Sequence, residues 1–430
     1  MWFIRKCYMI KKILGTTFSR IIITLGGIIV LLLNTRYLGA QKLGELSLLL
    51  VAINLILQVS EFVGGSSLVY LQKKHQTNQL LSVSYIWSFL VSVIALFILH
   101  FFYTEIKFTM IIIGCALIQS INHTHLHLLV GKEKIKGYNI SSMVQMILVV
   151  SLILFYYLIQ DSTNISTYLT IYFFGQVLTL LFSSFYLKSN IKTGGDFGFN
   201  IPLIKDVYHY GFLIQLTNLF QFGVYRINYV VLESFTSFAT LGIFSLGTQF
   251  SEKALIPSNA ISLIQYSNIS NSTSKTKAAI LTIHLLTFSF IIGLVSTIAL
   301  IIIPESFIIL IFGEEFVSVK SLLIYLAPGV LFMSISAIYS HYFAGLAKYK
   351  FNTITSFTGI ILMTLMSYLL IPKYGILGAG MATSFVYFFQ MIIQMFFFKH
   401  ESKLTWNSIR QIHIEGFSKI SISTLKNWIK

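Results

Sequence analysis

Hydrophobic and polar positions along this chain alternate on a scale of about twenty residues. Long apolar runs are separated by short polar breaks, and an α-helix needs a run of that length to cross a hydrocarbon layer roughly 30 Å thick. Twelve runs stand out, near 13–33, 43–63, 80–102, 108–130, 141–159, 167–187, 211–232, 241–264, 278–303, 321–346, 354–371 and 375–398. One of them departs from the pattern of a lipid-facing helix. Gly211 to Leu232 carries Gln215, Asn218, Gln221, Arg226 and Asn228, with Tyr225 and Tyr229 beside them. At about 100° per residue the five polar positions fall within roughly 160° of the helix circumference. The next run adds Gln249, Glu252 and Lys253 near its middle. An ionised side chain at mid-membrane costs about 2.5–3.5 kcal/mol. The pattern therefore predicts that these groups face one another or a watery cavity, away from lipid.

The breaks between runs carry a charge bias. With the N-terminus placed in the cytoplasm, 22 Lys and Arg fall on the inner side, and five (Arg36, Lys42, Lys107, Lys320 and Lys373) on the outer. Arg20, Arg226 and Lys253 lie inside runs. That asymmetry predicts a multi-pass protein with an even number of spans and both termini cytoplasmic. Composition agrees: 56% of the chain is hydrophobic, 10% is charged and the mean hydropathy is +0.80, which points to an all-α polytopic membrane protein with membrane lipids as neighbours. The net charge of +16 is then a property of cytoplasmic loops, and no nucleic-acid partner is expected. Cys7 and Cys115 are too few and too far apart for a disulfide framework or a metal site. The first run is too long for a cleaved leader and lacks a small-residue cleavage site, so no such leader is expected.

The inner segment 188–207, with Gly194, Gly195, Gly198 and Pro202, is the longest internal break. It divides the chain into an N-terminal lobe at 1–187, a cytoplasmic linker at 188–210, a C-terminal lobe at 211–398 and a tail at 399–430. Each lobe holds six runs. Leu43-Gly-Glu-Leu-Ser-Leu48 and Leu241-Gly-Ile-Phe-Ser-Leu246 match at four of six positions and open the second run of their respective halves. A repeat of that kind has its axis along the membrane normal. In the tail, Leu404, Trp406, Ile409, Ile412, Phe417 and Ile420 recur at helical spacing beside Lys403, Arg410, Lys419 and Lys426. Two readings stay open for it: an amphipathic helix on an anionic inner leaflet, or a solvated basic tail that orients the last run.

Other clusters carry less. The fourth run contains Asn122, His123, His125 and His127, so its inner end is expected to be wet or interfacial. Residues at i and i+2 of a helix do not share a face. With no thiols or paired carboxylates alongside, no metal site and no cofactor is expected. Gly26-Gly27 and the glycines of 375–380 are read as close helix packing or turns.

Four elements in the same order resemble a known family. Asn34-Thr-Arg-Tyr-Leu-Gly-Ala-Gln-Lys-Leu-Gly44 is similar to a signature that follows the first span of polysaccharide-export flippases. Leu241-Gly-Ile-Phe-Ser-Leu-Gly247, Phe312-Gly-Glu-Glu-Phe316 and Leu370-Ile-Pro-Lys-Tyr-Gly-Ile-Leu-Gly-Ala-Gly380 resemble three further elements of the same proteins. The chain is thereby identified by resemblance as a Wzx-type O-antigen and capsule repeat-unit flippase of the multidrug/oligosaccharidyl-lipid/polysaccharide (MOP) superfamily.

That resemblance implies two six-helix lobes forming a V around a central cavity that opens alternately to either side. It implies a non-enzymatic protein of the bacterial cytoplasmic (inner) membrane. The implied cargo is an undecaprenyl-diphosphate-linked oligosaccharide moved from the cytoplasmic to the outer leaflet for lipopolysaccharide or capsule synthesis. A polysaccharide polymerase and chain-length machinery are the implied protein partners. Such a headgroup demands cations and hydrogen bonds along its path. Arg226, Arg20 and Lys253 are the cationic candidates and Gln215, Asn218 and Gln221 the candidates for sugar hydroxyls, while Glu252, Glu61 and Asn228 are candidates for coupling or ion pairing. Each has a plainer role: Arg226 as the partner of Glu252 or Glu233, Arg20 as a snorkelling interfacial residue, Glu61 as an interfacial carboxylate, and the amides as helix cross-links. Family members often have an acidic residue where Asn228 stands, so a coupling role for that carboxylate does not carry over. An ion-coupled drug exporter of the same superfamily would need cation-binding carboxylates, and three candidate cations against Glu61 and Glu252 argue against it. A membrane polymerase or glycosyltransferase would need sizeable outer loops, and the longest here is 304–320. A pure scaffold would leave the costly buried charges without a use.

Overall fold

A computed structural model describes residues 2–102, 106–159, 164–188, 201–272 and 274–418. Among them the regular structure is helical, with no strand. The helices are α1 (Trp2–Gly64), α2 (Ser67–Leu71), α3 (Thr77–Phe102), α4 (Ile106–Gly131), α5 (Ile135–Ile159), α6 (Ile165–Lys188) and α7 (Ile201–Phe235). They continue with α8 (Phe238–Ala254), α9 (Ile256–Ser270), α10 (Lys275–Ile302), α11 (Glu305–Phe312), α12 (Val319–Gly345), α13 (Tyr349–Ser402) and α14 (Trp406–Ser418).

Two of these are too long to be single spans. At about 1.5 Å per residue, the 63 residues of α1 and the 54 of α13 would each cross a bilayer more than twice over. Each breaks at a glycine whose backbone is not helical: Gly39 at φ 70°, ψ 177°, and Gly375 at φ 55°, ψ −131°. The chain doubles back at Gly375. A Cβ on Gly378 would lie 2.3 Å from the carbonyl oxygen of Leu370, eight residues earlier, which in a straight helix would be about 12 Å away. Gln390 Nε2 likewise donates to the Thr355 carbonyl at 3.4 Å across the same hairpin. The eighth run is interrupted at Leu255, where α9 begins with Pro257 in its first turn; proline lacks the donor that would continue α8. Counting each side of the two glycine breaks separately, and α8 with α9 as one interrupted span, the helices account for the twelve runs.

Two compact units are present: Met1–Lys42 with Leu46–Leu219, and Leu43–Glu45 with Phe220–Lys430. The division falls within α7, which is already helical at Ile201. Residues 189–200 of the expected linker lie outside the described residues.

The first unit is built on Ile53, Ile112, Cys115, Ile153 and Leu169 at one end, and on Leu68, Leu71, Leu128, Leu129 and Leu203 at the other. In the second, Ile283, Ile338, Phe343 and Phe398 form one core and Val224, Met363, Ala382 and Val386 another. Exposed apolar side chains run in stripes at helical spacing, such as Leu90, Ile94, Phe97 and Phe101 on α3, and Phe174, Leu178, Leu181 and Phe185 on α6. Stripes of this kind suit lipid. Many of the buried polar side chains pair inside the bundle instead. Asn34 accepts from the Tyr157 hydroxyl at 3.1 Å and donates to Tyr168 at 3.2 Å.

The described part of the tail is a helix, α14, whose apolar side docks on the second unit. Ile409 is buried, and Leu404 and Ile412 pack against the core that holds Phe343 and Phe398. The His413 ring bonds Thr287 at 2.8 Å, and burial keeps it below the usual histidine range. Residues 419–430, with the expected Lys419, Ile420 and Lys426, lie outside the described residues.

Candidate functional site

The polar stripe of α7 divides between the units. In the first, Gln215 is buried and donates to the Gln58 carbonyl at 2.7 Å and to Gln58 Oε1 at 3.0 Å. Asn218, exposed one turn on, donates to Gln215 Oε1 at 3.3 Å. Gln221 belongs to the second unit, where its Oε1 accepts from Ser356 at 3.0 Å and from Gln390 at 3.1 Å.

Arg226 is the centre of the second unit's polar site. Its Nη1 lies 2.8 Å from Glu252 Oε1 and its Nη2 3.3 Å from Oε2, a two-pronged grip on the carboxylate. The guanidinium carbon stands 5.2 Å from the Tyr229 ring centre, close enough for cation–π attraction. Tyr229 is held in turn by Thr248, 2.8 Å from its hydroxyl. Tyr225, Thr248, Ser251, Glu252, Thr383 and Tyr387 line a cavity of about 20 Å³ beside the pair, room for a water molecule and too little for a sugar. Of the two ion-pair partners the sequence offered for Arg226, the structure selects Glu252. Lys253, adjacent to Glu252 on the same helix, makes no ion pair among the described residues. Arg20 is exposed on α1 and likewise makes none among them.

Asn228 is wholly enclosed. Its Nδ2 donates to Thr383 Oγ1 at 2.9 Å, and its Oδ1 accepts from Ser367, so it ties α7 to both arms of the α13 hairpin. Ser367 and Thr383 keep bonds to the carbonyls of Met363 and Ala379 without it. Asn228→Ala therefore removes a clamp without orphaning its partners, and we expect a loss of about 1–2 kcal/mol, read as a lowered melting temperature of the purified protein.

Glu61 sits near the end of α1, where the helix crosses α4 closely: a Cβ on Gly64 would meet Thr124 Oγ1 at 2.6 Å. That approach sets Glu61 Oε1 2.8 Å from His123 Nδ1 and 3.8 Å from His127 Nε2. The i, i+2 comparison of the three histidines leaves out this i, i+4 pair, which does share a face. His125 points the other way, buried against Tyr85 and Ser183. At the start of α7, outside the apolar run, Asp206 bonds His75 Nε2 at 2.9 Å. That bond holds the carboxyl below its usual range.

Comparisons with known proteins place this architecture. No protein-family model matches the chain. A capsular polysaccharide biosynthesis protein, CapF of Staphylococcus aureus, is 25% identical over 259 residues, covering 58% of this chain and 64% of that protein; the match thus spans less than two thirds of the relative. An inward-facing multidrug resistance MATE family transporter of the MOP superfamily superposes with a TM-score of 0.71 at 13% identity, over 90% of this chain and 96% of that one. The lipid II flippase MurJ, in an inward closed conformation, gives 0.68 at 17% identity, over 95% and 91%. The chain is a multi-pass membrane protein with the fold of MOP-superfamily transporters.

Proposed function

We propose that this protein is a flippase that carries undecaprenyl-diphosphate-linked oligosaccharide repeat units from the cytoplasmic to the outer leaflet by alternating access. The glycan serves O-antigen or capsule-type polysaccharide synthesis, and the protein resides in a bacterial cytoplasmic membrane with both termini inside. The observation that carries the reading is the combination of a MOP-type fold with sequence similarity to a capsular polysaccharide biosynthesis protein. The site chemistry supports it. A guanidinium that grips a carboxylate with two parallel bonds can grip a diphosphate in the same way, and Arg226 is so disposed. Its exchange of Glu252 for cargo would couple binding to a rearrangement between α7 and α8. Once the cavity beside the pair opens, Gln221, Tyr225 and Tyr387 would offer hydrogen bonds to sugar hydroxyls, and Lys253 further positive charge.

The test is complementation of a flippase-null strain that retains the cognate repeat-unit pathway. Restored surface glycan supports the reading. Wild-type protein that leaves lipid-linked repeats on the inner face, yet lowers cellular accumulation of a cationic dye, would replace it with the drug exporter. Lipid-linked units collecting unpolymerised on the outer face would direct attention to a polymerase.

A further inference from the structure

Glu61, His123 and His127 form a constellation that the transport reading does not use. Their ligating atoms all lie within 4.8 Å of one another. Imidazole nitrogens and a carboxylate oxygen are the donors that zinc and its neighbours in the first transition row prefer. The two histidines come from successive turns of one helix face and the carboxylate from another helix, so three donors converge from two rigid elements.

The distances discriminate between a hydrogen-bonded pair and a metal site. His123 Nδ1 lies within hydrogen-bond reach of the Glu61 oxygen, at 2.8 Å. His127 Nε2 is then left 3.8 Å from the same oxygen, too far for a hydrogen bond. Two ligands bound at about 2.0–2.1 Å to a tetrahedral ion lie roughly 3.3 Å apart. The two carboxylate–histidine separations of 2.8 and 3.8 Å bracket that value, and with all three ligating atoms within 4.8 Å of one another, rotation of the side chains closes them around one ion. The three side chains are 14–31% exposed, so an ion has a route in and water has room beside it. Gly64 fixes the helix approach on which the geometry depends.

We propose that Glu61, His123 and His127 form a binding site for one divalent transition-metal ion of the zinc class, with a coordination position left for water or an anionic oxygen. The ion cross-links α1 to α4 within the first unit. Three protein ligands with an open fourth position is the arrangement of reactive rather than purely structural zinc. The site stands independently of the proposed cargo.

The experiment uses the full-length protein purified in detergent and stripped with a chelator. Zinc chloride is titrated calorimetrically and cobalt chloride by visible absorption. One equivalent of zinc is expected, with a cobalt ligand-field spectrum of low coordination number. His127→Asn keeps the Glu61–His123 bond intact and should weaken zinc binding at least 10–100-fold, since changes outside the ligand shell alone cost roughly that much. His400→Asn, at an exposed histidine on α13, should leave binding unchanged. Absence of stoichiometric binding at micromolar zinc overturns the proposal, as does equal affinity in wild type and His127→Asn, or loss of binding in His400→Asn. If His127→Asn does not fold, Glu61→Gln carries the same comparison, and wild-type stoichiometry and the cobalt spectrum remain decisive.

Discussion

Arg226→Ala is expected to reduce restoration of surface glycan at least tenfold at matched protein levels, with a loss of stability of about 1–3 kcal/mol. The stability cost follows from leaving Glu252 without its partner. A fully buried ion pair loses roughly 3–5 kcal/mol when one member is removed. Here the side chains are 23% and 36% exposed, so water compensates in part. The two effects separate in a double-mutant comparison. Arg226→Ala with Glu252→Ala removes the orphaned charge and should recover most of the lost stability. Transport should stay low, because the cation has gone. Arg226→Lys keeps the charge and loses the two-pronged geometry; an intermediate transport rate is expected. Full transport in the double variant would make the pair a helix clamp and nothing more.

Most of the fold was legible because a bilayer imposes a coarse rule. Spans must be about twenty residues long and apolar, and loops carry the charge bias. The runs that blur in hydropathy are those the structure makes unusual. α4 holds three histidines, α7 a polar stripe, and the α8–α9 span a proline break. The family-like elements were legible for a different reason. The glycines at positive φ among the described residues are Gly39, Gly313 and Gly375, and each sits inside one of those elements. They specify backbone turns, so the resemblance speaks to fold much more than to cargo. The site was read less well. The stripe on α7 pointed to Arg226, and residue type alone allowed Glu252 or Glu233 as its partner. Choosing between them needed the packing of α7 on α8. Tyr387 and Thr383, supplied by α13 from more than 150 residues away, left no local signal. The Glu61–His123–His127 cluster had half a signal: the i, i+4 histidine spacing is in the sequence, whereas the carboxylate that completes it comes from a different helix.

Gly378→Ala is expected to be among the most damaging single substitutions in the chain, more so than Gly375→Ala at the turn itself. The reason lies in what a methyl group would meet. At Gly375 nothing lies within 4 Å, and the cost is conformational, a backbone at φ 55°, ψ −131° that an L-residue adopts at roughly 1–3 kcal/mol. At Gly378 the new Cβ would stand 2.3 Å from the Leu370 carbonyl oxygen and 2.6 Å from its carbon. These are backbone atoms of the opposite arm, held by their own helix, so they cannot rotate aside. Relief requires the two arms of α13 to spread. That movement would strain the bonds by which Asn228 reaches Ser367 on one arm and Thr383 on the other. Overpacking ordinarily costs about 1–3 kcal/mol and sometimes more; with both arms clamped, a loss above about 3 kcal/mol is expected. Thermal unfolding in detergent, followed by size-exclusion profile, should rank wild type above Gly375→Ala and Gly375→Ala above Gly378→Ala. Adding Asn228→Ala to Gly378→Ala should cost less than the sum of the two alone, since spreading has already loosened the clamp. An unaltered profile for Gly378→Ala would mean that the arms do not approach at this point.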